Sequence, residues 1–283
     1  MKLLPLLLVG TICGAAWAAE PSPVTITRSE FGGREAFRLS DGKTEAVIVP
    51  SIARVMRYAE VGGENWLWVA ADGQVEQDGW KNYGGEKSWV APQSEWPLFL
   101  ENAWPPDDAW EGGPQARILE NPPRVRTESP VAKNGTRLMR EFAYAANGDF
   151  VTTTTLEKVS GPALMAGAWT ITQIPPVEAI FLPIDRESAY KRGFHRFGKS
   201  TRGDVKDNDD GSMIRVTPTT DGAYKIGVDA KDAFIRALRG GKVFEQCTDR
   251  EEGNYPDGAD GAGFPVELYD HGQAEKHYLE LEL

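Results

Sequence analysis

The chain has 283 residues and carries 42 acidic side chains against 31 lysines and arginines, which gives a formal net charge of −11. Nucleic acids and anionic membranes are bound through basic patches, so this acidic balance argues against both as partners. Beyond the N-terminus, no stretch reaches the roughly 20 consecutive apolar residues that a membrane-spanning helix needs.

The first 18 residues have the three parts of a secretory signal peptide. Lys2 supplies the positive charge, residues 3–13 (LLPLLLVGTIC) form a short apolar stretch, and residues 16–18 (Ala-Trp-Ala) fit the small-x-small cleavage rule. We therefore predict cleavage after Ala18 and a periplasmic or secreted protein. The remaining chain would have 265 residues (283 − 18) and a charge of −12 (30 − 42).

Short runs rich in Thr, Val, Ile and aromatic residues follow one another along the rest of the chain, and most of them alternate apolar with polar residues. A strand is predicted for each of 24–29, 34–40, 44–51, 53–61, 136–145, 149–160, 169–175, 212–218, 224–230, 242–249, 265–272 and 276–283. Residues 229–239 fit either a short helix or a turn followed by a strand. The pattern predicts one all-β domain over 19–283, a large antiparallel sandwich or barrel of about 14 to 16 strands.

Residues 80–124 interrupt the alternation and contain seven prolines, so we predict a long loop insertion there. Residues 199–213 are predicted to form a second, solvated loop. Seven of the eight tryptophans after residue 18 lie close to the first insertion: Trp66, Trp68, Trp80, Trp89, Trp96, Trp104 and Trp110. Two interpretations stay open: the indoles form a small core that pins the loop, or they line a cleft and stack on the apolar faces of sugar rings.

Polar side chains accompany these indoles. The insertion carries Asn82, Glu86, Lys87, Gln93 and Asp107 beside a Gly-Gly pair that allows close backbone approach. Amide, carboxylate and ammonium groups on a stiff loop are suited to recognising hydroxyls. Glu86 and Lys87 are equally compatible with a solvated ion pair.

The end of the chain, HYLELEL (277–283), alternates strictly. Its leucines face the core, so Glu280 and Glu282 face either solvent or a cleft. Burial in a cleft would raise the pKa of Glu280 towards the range of a general base. His195 lies between aromatic and basic residues and is either an acid–base group or a histidine at the edge of the core.

Metal and cofactor chemistry has little support in the sequence. The three histidines form no close pair, and Cys247 would be the one cysteine left after cleavage, which excludes a disulfide within the chain and a cysteine-based zinc cluster. No phosphate-binding loop, dinucleotide motif or nucleophile elbow is present. We expect no metal and no cofactor.

Three segments together resemble a known family. They are "NYGGEKSWVAPQSEWP", continued by "WPPDD" and "GGP"; "AWTITQIPP"; and the closing "LYD" and "YLELEL". They resemble an uncharacterised bacterial domain-of-unknown-function family in the galactose-mutarotase-like (aldose 1-epimerase) superfamily, over roughly residues 35–283. The resemblance implies an antiparallel supersandwich with a sugar cleft on one face.

The resemblance also implies roles for particular residues. In mutarotases a glutamate on a late strand deprotonates the anomeric hydroxyl while a histidine protonates the ring oxygen, which opens the ring for reclosure on the other face. Glu280 stands at the position of the base. Tyr83 and Trp169 stand where the two histidines of the superfamily lie, so Lys87 or His195 would have to supply the acid, and a lysine acid needs a pKa lowered by burial.

We therefore predict an exported protein that recognises a mono- or oligosaccharide in a tryptophan-lined cleft, either as a binder or as a divergent epimerase-like or other carbohydrate-active enzyme. The candidate catalytic residues are Glu280, His195 and Lys87. The candidate sugar-binding residues are Asn82, Tyr83, Glu86, Trp89, Gln93, Trp96, Trp104 and Asp107. The alternative is a non-catalytic envelope protein that uses the tryptophan-rich loop as a protein–protein interface.

Overall fold

The fold is described from a computed structural model of the chain. The residues described are 23–76, 79–101, 104–112, 115–198, 202–207, 211–250, 255 and 263–283. The predicted signal peptide, residues 1–18, lies outside them and stays a prediction.

The largest element is a ten-stranded antiparallel sheet with the strand order β1-β2-β3-β4-β7-β12-β21-β20-β17-β14. Its strands are β1 (Thr25–Phe31), β2 (Arg34–Ser40), β3 (Thr44–Val49), β4 (Arg54–Glu60), β7 (Glu86–Ala91), β12 (Gly167–Ile174), β14 (His195–Arg196), β17 (Tyr224–Val228), β20 (Val266–Asp270) and β21 (Leu279–Glu282). Strands distant in sequence, β7, β12 and β21, are neighbours at its centre.

Three smaller sheets complete the fold. A four-stranded sheet, β11-β10-β9-β8, contains β8 (Gln115–Glu120), β9 (Pro123–Glu128), β10 (Thr136–Tyr144) and β11 (Phe150–Lys158). A five-stranded sheet, β15-β16-β13-β18-β19, contains β13 (Ala179–Pro183), β15 (Asp204–Asp207), β16 (Met213–Thr217), β18 (Ala233–Arg239) and β19 (Lys242–Thr248). A hairpin is formed by β5 (Val69–Val75) and β6 (Lys81–Gly84).

Helical structure among the described residues is short. It comprises the α-helix α1 (Asp108–Glu111) and the 3₁₀ turns Pro50–Ile52, Gln93–Leu98 and Ala274–Lys276. None of these helices is long and apolar enough to cross a membrane.

One hydrophobic cluster joins the three larger sheets. Leu281 from the ten-stranded sheet, Phe142 from the four-stranded sheet and Ile180 from the five-stranded sheet are all fully buried members of it. The two smaller sheets therefore cover one face of the large sheet, as in a sandwich whose inner faces bury alternate residues. The predicted all-β, antiparallel fold with few helical residues is confirmed.

The alternating strands were predicted closely, and the strand over 34–40 has the same bounds in the structure. The ambiguous segment 229–239 is a turn followed by strand β18, because its apolar residues alternate towards the core. The structure corrects the two predicted loops: β6, β7 and β8 lie within 80–124, and β15 lies within 199–213. Strand β7 escaped prediction because it is buried on both faces and so shows no alternation.

The assigned core predicts that alanine substitutions at two leucines differ greatly in their effect on the free energy of unfolding. Leu281 is fully buried in β21, whereas Leu98 is 77% exposed. We expect Leu281→Ala to lower the free energy of unfolding by about 2–5 kcal/mol, because it removes buried apolar surface and leaves a cavity. Leu98→Ala, the matched control, should change it by about 0.5 kcal/mol or less. Urea denaturation measures both, and equal effects would contradict the assigned core.

Candidate functional site

The central strands of the large sheet present different chemistry on their two faces. Side chains alternate along a strand, and cross-strand partners share a face. Glu86 pairs with Thr172 and so faces the sandwich core with Leu281. Lys87 therefore points to the opposite face, together with Glu282.

That second face, called the polar face below, carries a dense set of charged and aromatic side chains from five strands. They include Lys87, Trp89, Trp169, Gln173, Lys225, Glu267, Tyr269, Glu280 and Glu282. The Glu280 that the sequence singled out thus meets Lys87, which lies on a strand 193 residues earlier (280 − 87).

The Lys87 ammonium lies 3.5 Å from the Glu280 carboxylate. It sits 4.4 Å from the ring centroid of Trp89 and 5.4 Å from that of Trp80, where cation–π attraction stabilises a charge. The side chain is 2% exposed. Burial lowers the pKa of Lys87 to about 8, although the Glu280 charge opposes that shift. The lowered pKa required of a lysine acid is therefore present.

Glu280 is the more open partner of this pair. Its side chain is 16% exposed, and it accepts a hydrogen bond of 2.7 Å from Nε2 of the fully buried Gln173. Gln173 lies directly opposite Glu280 in the ladder between β12 and β21. The amide therefore holds one carboxylate oxygen in place beside the ammonium.

Further along the polar face, Lys225 bridges two carboxylates, at 2.9 Å from Glu282 and 2.5 Å from Glu267. Trp169 donates its indole N–H to Glu282 over 3.0 Å. Burial raises the pKa of Glu282, with Lys225 opposing and Glu280 adding to the shift. Burial disfavours the charge of Lys225, but Glu282 and Glu267 outweigh it and raise the pKa of that lysine. The result is a buried network in which one lysine holds two carboxylates.

Six of the indoles divide into two groups. Trp89, Trp96 and Trp110 are buried in a small second core, where Trp96 donates to the carbonyl of Val90 over 2.8 Å. Trp80, Trp104 and Trp169 pack against this core and are partly exposed. Trp89 and Trp96 therefore act as core residues, whereas Trp80, Trp169 and the predicted Trp104 keep part of their surface exposed.

Two predicted sugar-binding side chains accept hydrogen bonds from backbone amides of the fold. Asp107 caps α1: its Oδ1 accepts from the amide of Ala109, and its Oδ2 accepts from the amide of Lys133, each over 2.9 Å. Asn82 is fully buried, and its Oδ1 accepts from the amide of Gly84 over 3.1 Å. Both stabilise turns.

The remaining candidates lie on other elements than the Lys87–Glu280 pair or on the other face of the sheet. Tyr83 packs beneath two guanidinium groups, with Arg34 at 4.9 Å and Arg54 at 5.9 Å from its centroid. Glu86 faces the core and forms an ion pair with Arg140. Gln93 is half-buried in the 3₁₀ turn after β7.

His195 lies at the far edge of the large sheet, on β14, and stacks on Phe264 with centroids 5.5 Å apart. Three strand spacings, about 14 Å in total, separate β14 from the β21 strand of Glu280. Of the two candidate acids, Lys87 is therefore the one placed beside the candidate base.

The sequence did not single out Glu282, Lys225, Glu267 or Gln173 as site residues. Glu282 shares the strict alternation of Glu280, which was a usable signal. Lys225 and Glu267 lie on short strands whose neighbours give no hint that an ion pair joins them. Among the residues described, no group of three or more His, Cys, Asp or Glu side chains is arranged to hold a metal ion.

Two solved structures are similar to this chain over most of its length. A structure described as a "putative mutarotase (YeaD)" from Salmonella typhimurium matches 92% of this chain and 85% of its own, with 10% identity and a TM-score of 0.45. The structure of HI1317 matches 92% of this chain and 91% of its own, with 10% identity and a TM-score of 0.41. No family model matches the chain, and no curated protein matches it significantly.

The buried ammonium predicts a specific pH dependence of stability. The pKa of Lys87 is about 8 in the folded protein and about 10.4 for an unfolded lysine. Between these values the unfolded chain binds the extra proton, so the contribution of Lys87 to the free energy of unfolding rises with pH and is constant below about pH 8. The free energy of unfolding of wild type minus that of Lys87→Met, measured by urea denaturation, should therefore increase with pH across this window.

Lys242→Met removes an exposed lysine, 60% accessible, and is the matched control. Its difference from wild type should stay nearly flat over the same pH range. A flat difference for Lys87→Met as well would show that the ammonium is not held in a desolvated site.

Proposed function

We propose that the polar face binds a sugar and that Lys87 and Glu280 act on it as an acid–base pair of the aldose-epimerase type. The observation that carries the proposal is the 3.5 Å separation of a buried ammonium, whose pKa is lowered to about 8, from a partly exposed carboxylate. A buried group with a perturbed pKa beside a charged partner and aromatic surfaces is a candidate for a reactive site.

The spacing suits the chemistry of a hemiacetal, since the anomeric hydroxyl and the ring oxygen are bonded to the same carbon. The Glu280 carboxylate takes the proton of the anomeric hydroxyl, the bond between the anomeric carbon and the ring oxygen breaks, and the Lys87 ammonium protonates the ring oxygen. The open aldehyde rotates and recloses on its other face, and both protons return. The pair becomes neutral and regains its charges in each cycle.

The neighbouring side chains support binding. The partly exposed indoles of Trp80, Trp104 and Trp169 offer apolar faces for a sugar ring. The Glu280 carboxylate, 16% exposed and held by the Gln173 amide, offers a fixed acceptor for a hydroxyl group. The resemblance of the closing YLELEL segment to the superfamily's base strand supports Glu280 as the base.

Anomeric exchange tests the proposal directly. Purified protein is mixed with a panel of neutral, amino and acidic sugars, and exchange between anomers is followed by NMR. We expect accelerated exchange for at least one sugar, and a loss of about 100-fold or more in Glu280→Gln and Lys87→Met, because each removes a general acid or base. Glu60→Gln, which neutralises a carboxylate that is 58% exposed, is the matched control and should retain full activity.

The same panel separates the catalytic proposal from its alternatives. Binding by calorimetry without accelerated exchange would leave a sugar-binding protein without the reaction. Absence of binding across the panel would sink the carbohydrate proposal and favour the alternative, an envelope protein that uses the tryptophan-rich segment as a protein interface. Leu98, 77% exposed in that segment, is the observation that favours this alternative.

Export is a separate part of the proposal and rests on residues 1–18. Expression of the full chain in a Gram-negative host should place the protein in the periplasmic fraction, with a mature N-terminus at Ala19. N-terminal sequencing measures this, and an uncleaved cytoplasmic product would contradict it.

A further inference from the structure

A cavity lies on the opposite side of the large sheet from Lys87 and Glu280. It occupies about 1260 Å³. Its floor is formed by β7 and β12, and its sides include residues of β11 and β19. Strands β11 and β19 are the edge strands of the four-stranded and five-stranded sheets, so the cavity opens where these two covering sheets fail to meet.

Three residues that line this cavity have buried side-chain oxygens without a hydrogen-bond partner among the residues described. These atoms are Oε2 of Glu86, Oγ1 of Thr172 and Oε1 of Gln246. Glu86 is 7% exposed and Thr172 is 2% exposed. A buried polar atom left unpaired costs free energy, so three acceptors around one cavity indicate a ligand rich in hydrogen-bond donors.

The charge of the lining has one sign. Among the described lining residues the charged side chains are Glu86, Glu95, Asp149, Glu245 and Asp249. Arg140 offsets Glu86 and Arg236 offsets Glu245 from outside the lining. The other three carboxylates form no ion pair with a described lysine or arginine, so the cavity attracts a cation.

The cavity also has an apolar wall. Tyr58 stacks on Phe150 with centroids 5.7 Å apart and lies 5.9 Å from Phe244, and all three line the cavity. Aromatic faces accept both the methylene groups and the positive charge of an alkylammonium. The ligand that fits is therefore a cation with N–H donors on an aliphatic body.

We propose that this cavity binds an alkylammonium ion, with Glu86, Thr172 and Gln246 accepting its N–H groups and the aromatic wall packing on its methylenes. The ammonium belongs either to a free aliphatic diamine or to a lysine side chain of an extended peptide. The site is independent of the sugar proposal, because Glu86 and Lys87 point to opposite faces of the sheet.

Titration calorimetry at low ionic strength tests this with 1,4-diaminobutane and, as the uncharged isostere, 1,4-butanediol. We expect saturable binding of the diamine and at least about tenfold weaker binding of the diol. Thr172→Val keeps the shape of the side chain and the Glu86–Arg140 ion pair, so the protein should fold, and it should weaken diamine binding about tenfold. Asp149→Asn should weaken it more at low salt than at high salt.

Glu35→Gln neutralises an exposed carboxylate on β2 and is the matched control, which should bind the diamine as wild type does. Equal affinity for diamine and diol, or an unchanged affinity in both Thr172→Val and Asp149→Asn, would overturn the proposal. Amide shifts in NMR that cluster outside β7, β11, β12 and β19 would overturn it as well.

A blocked five-residue peptide with a central lysine, compared with its norleucine counterpart, separates the two sources. If the lysine peptide binds more tightly than the diamine and the norleucine peptide does not bind, the ammonium is that of a peptide. If the diamine binds more tightly than the lysine peptide, the ligand is a free amine. Either result supports the alkylammonium site, and it leaves the outcome of the anomeric-exchange measurement unaffected.

Discussion

Strand β7 lies at the centre of the large sheet and carries a carboxylate and an ammonium side by side, and both must be buried. Desolvating an unpaired charge is costly, so each needs a counter-ion on its own face. Glu86 finds Arg140 in the four-stranded sheet that covers the core face. Lys87 forms an ion pair with Glu280, two strands away across β12, and its ammonium also contacts the rings of Trp89 and Trp80. Much of the fold around these strands serves to supply those partners.

On the polar face, this constraint accounts for the tryptophan cluster. An ammonium in a desolvated site is stabilised by aromatic faces, and Trp89 and Trp80 provide them. Trp89 is held in turn by Glu111, which also binds Arg54. Two of the clustered indoles thus contact the buried charge, and the others pack on one another.

On the other face, the two covering sheets stop short of each other between β11 and β19. Glu86 and Thr172 lie at the bottom of that gap with acceptors unpaired among the residues described. One strand therefore lies between two chemically different environments, the Lys87–Glu280 ion pair on one side and an acidic cavity on the other. The alternation of β7 keeps them apart.

The sequence by itself determined the all-β fold and most strand positions, because apolar and polar residues alternate along a strand that has one buried face. It also determined that Glu280 faces away from the leucine core. Only the tertiary structure decided that β7 is a central strand and that Lys87, not His195, lies beside Glu280. It also decided that both carboxylate oxygens of Asp107 accept hydrogen bonds from backbone amides. Those facts depend on strand order between distant segments, and a local pattern of apolar and polar residues carries no information about which strand becomes a neighbour.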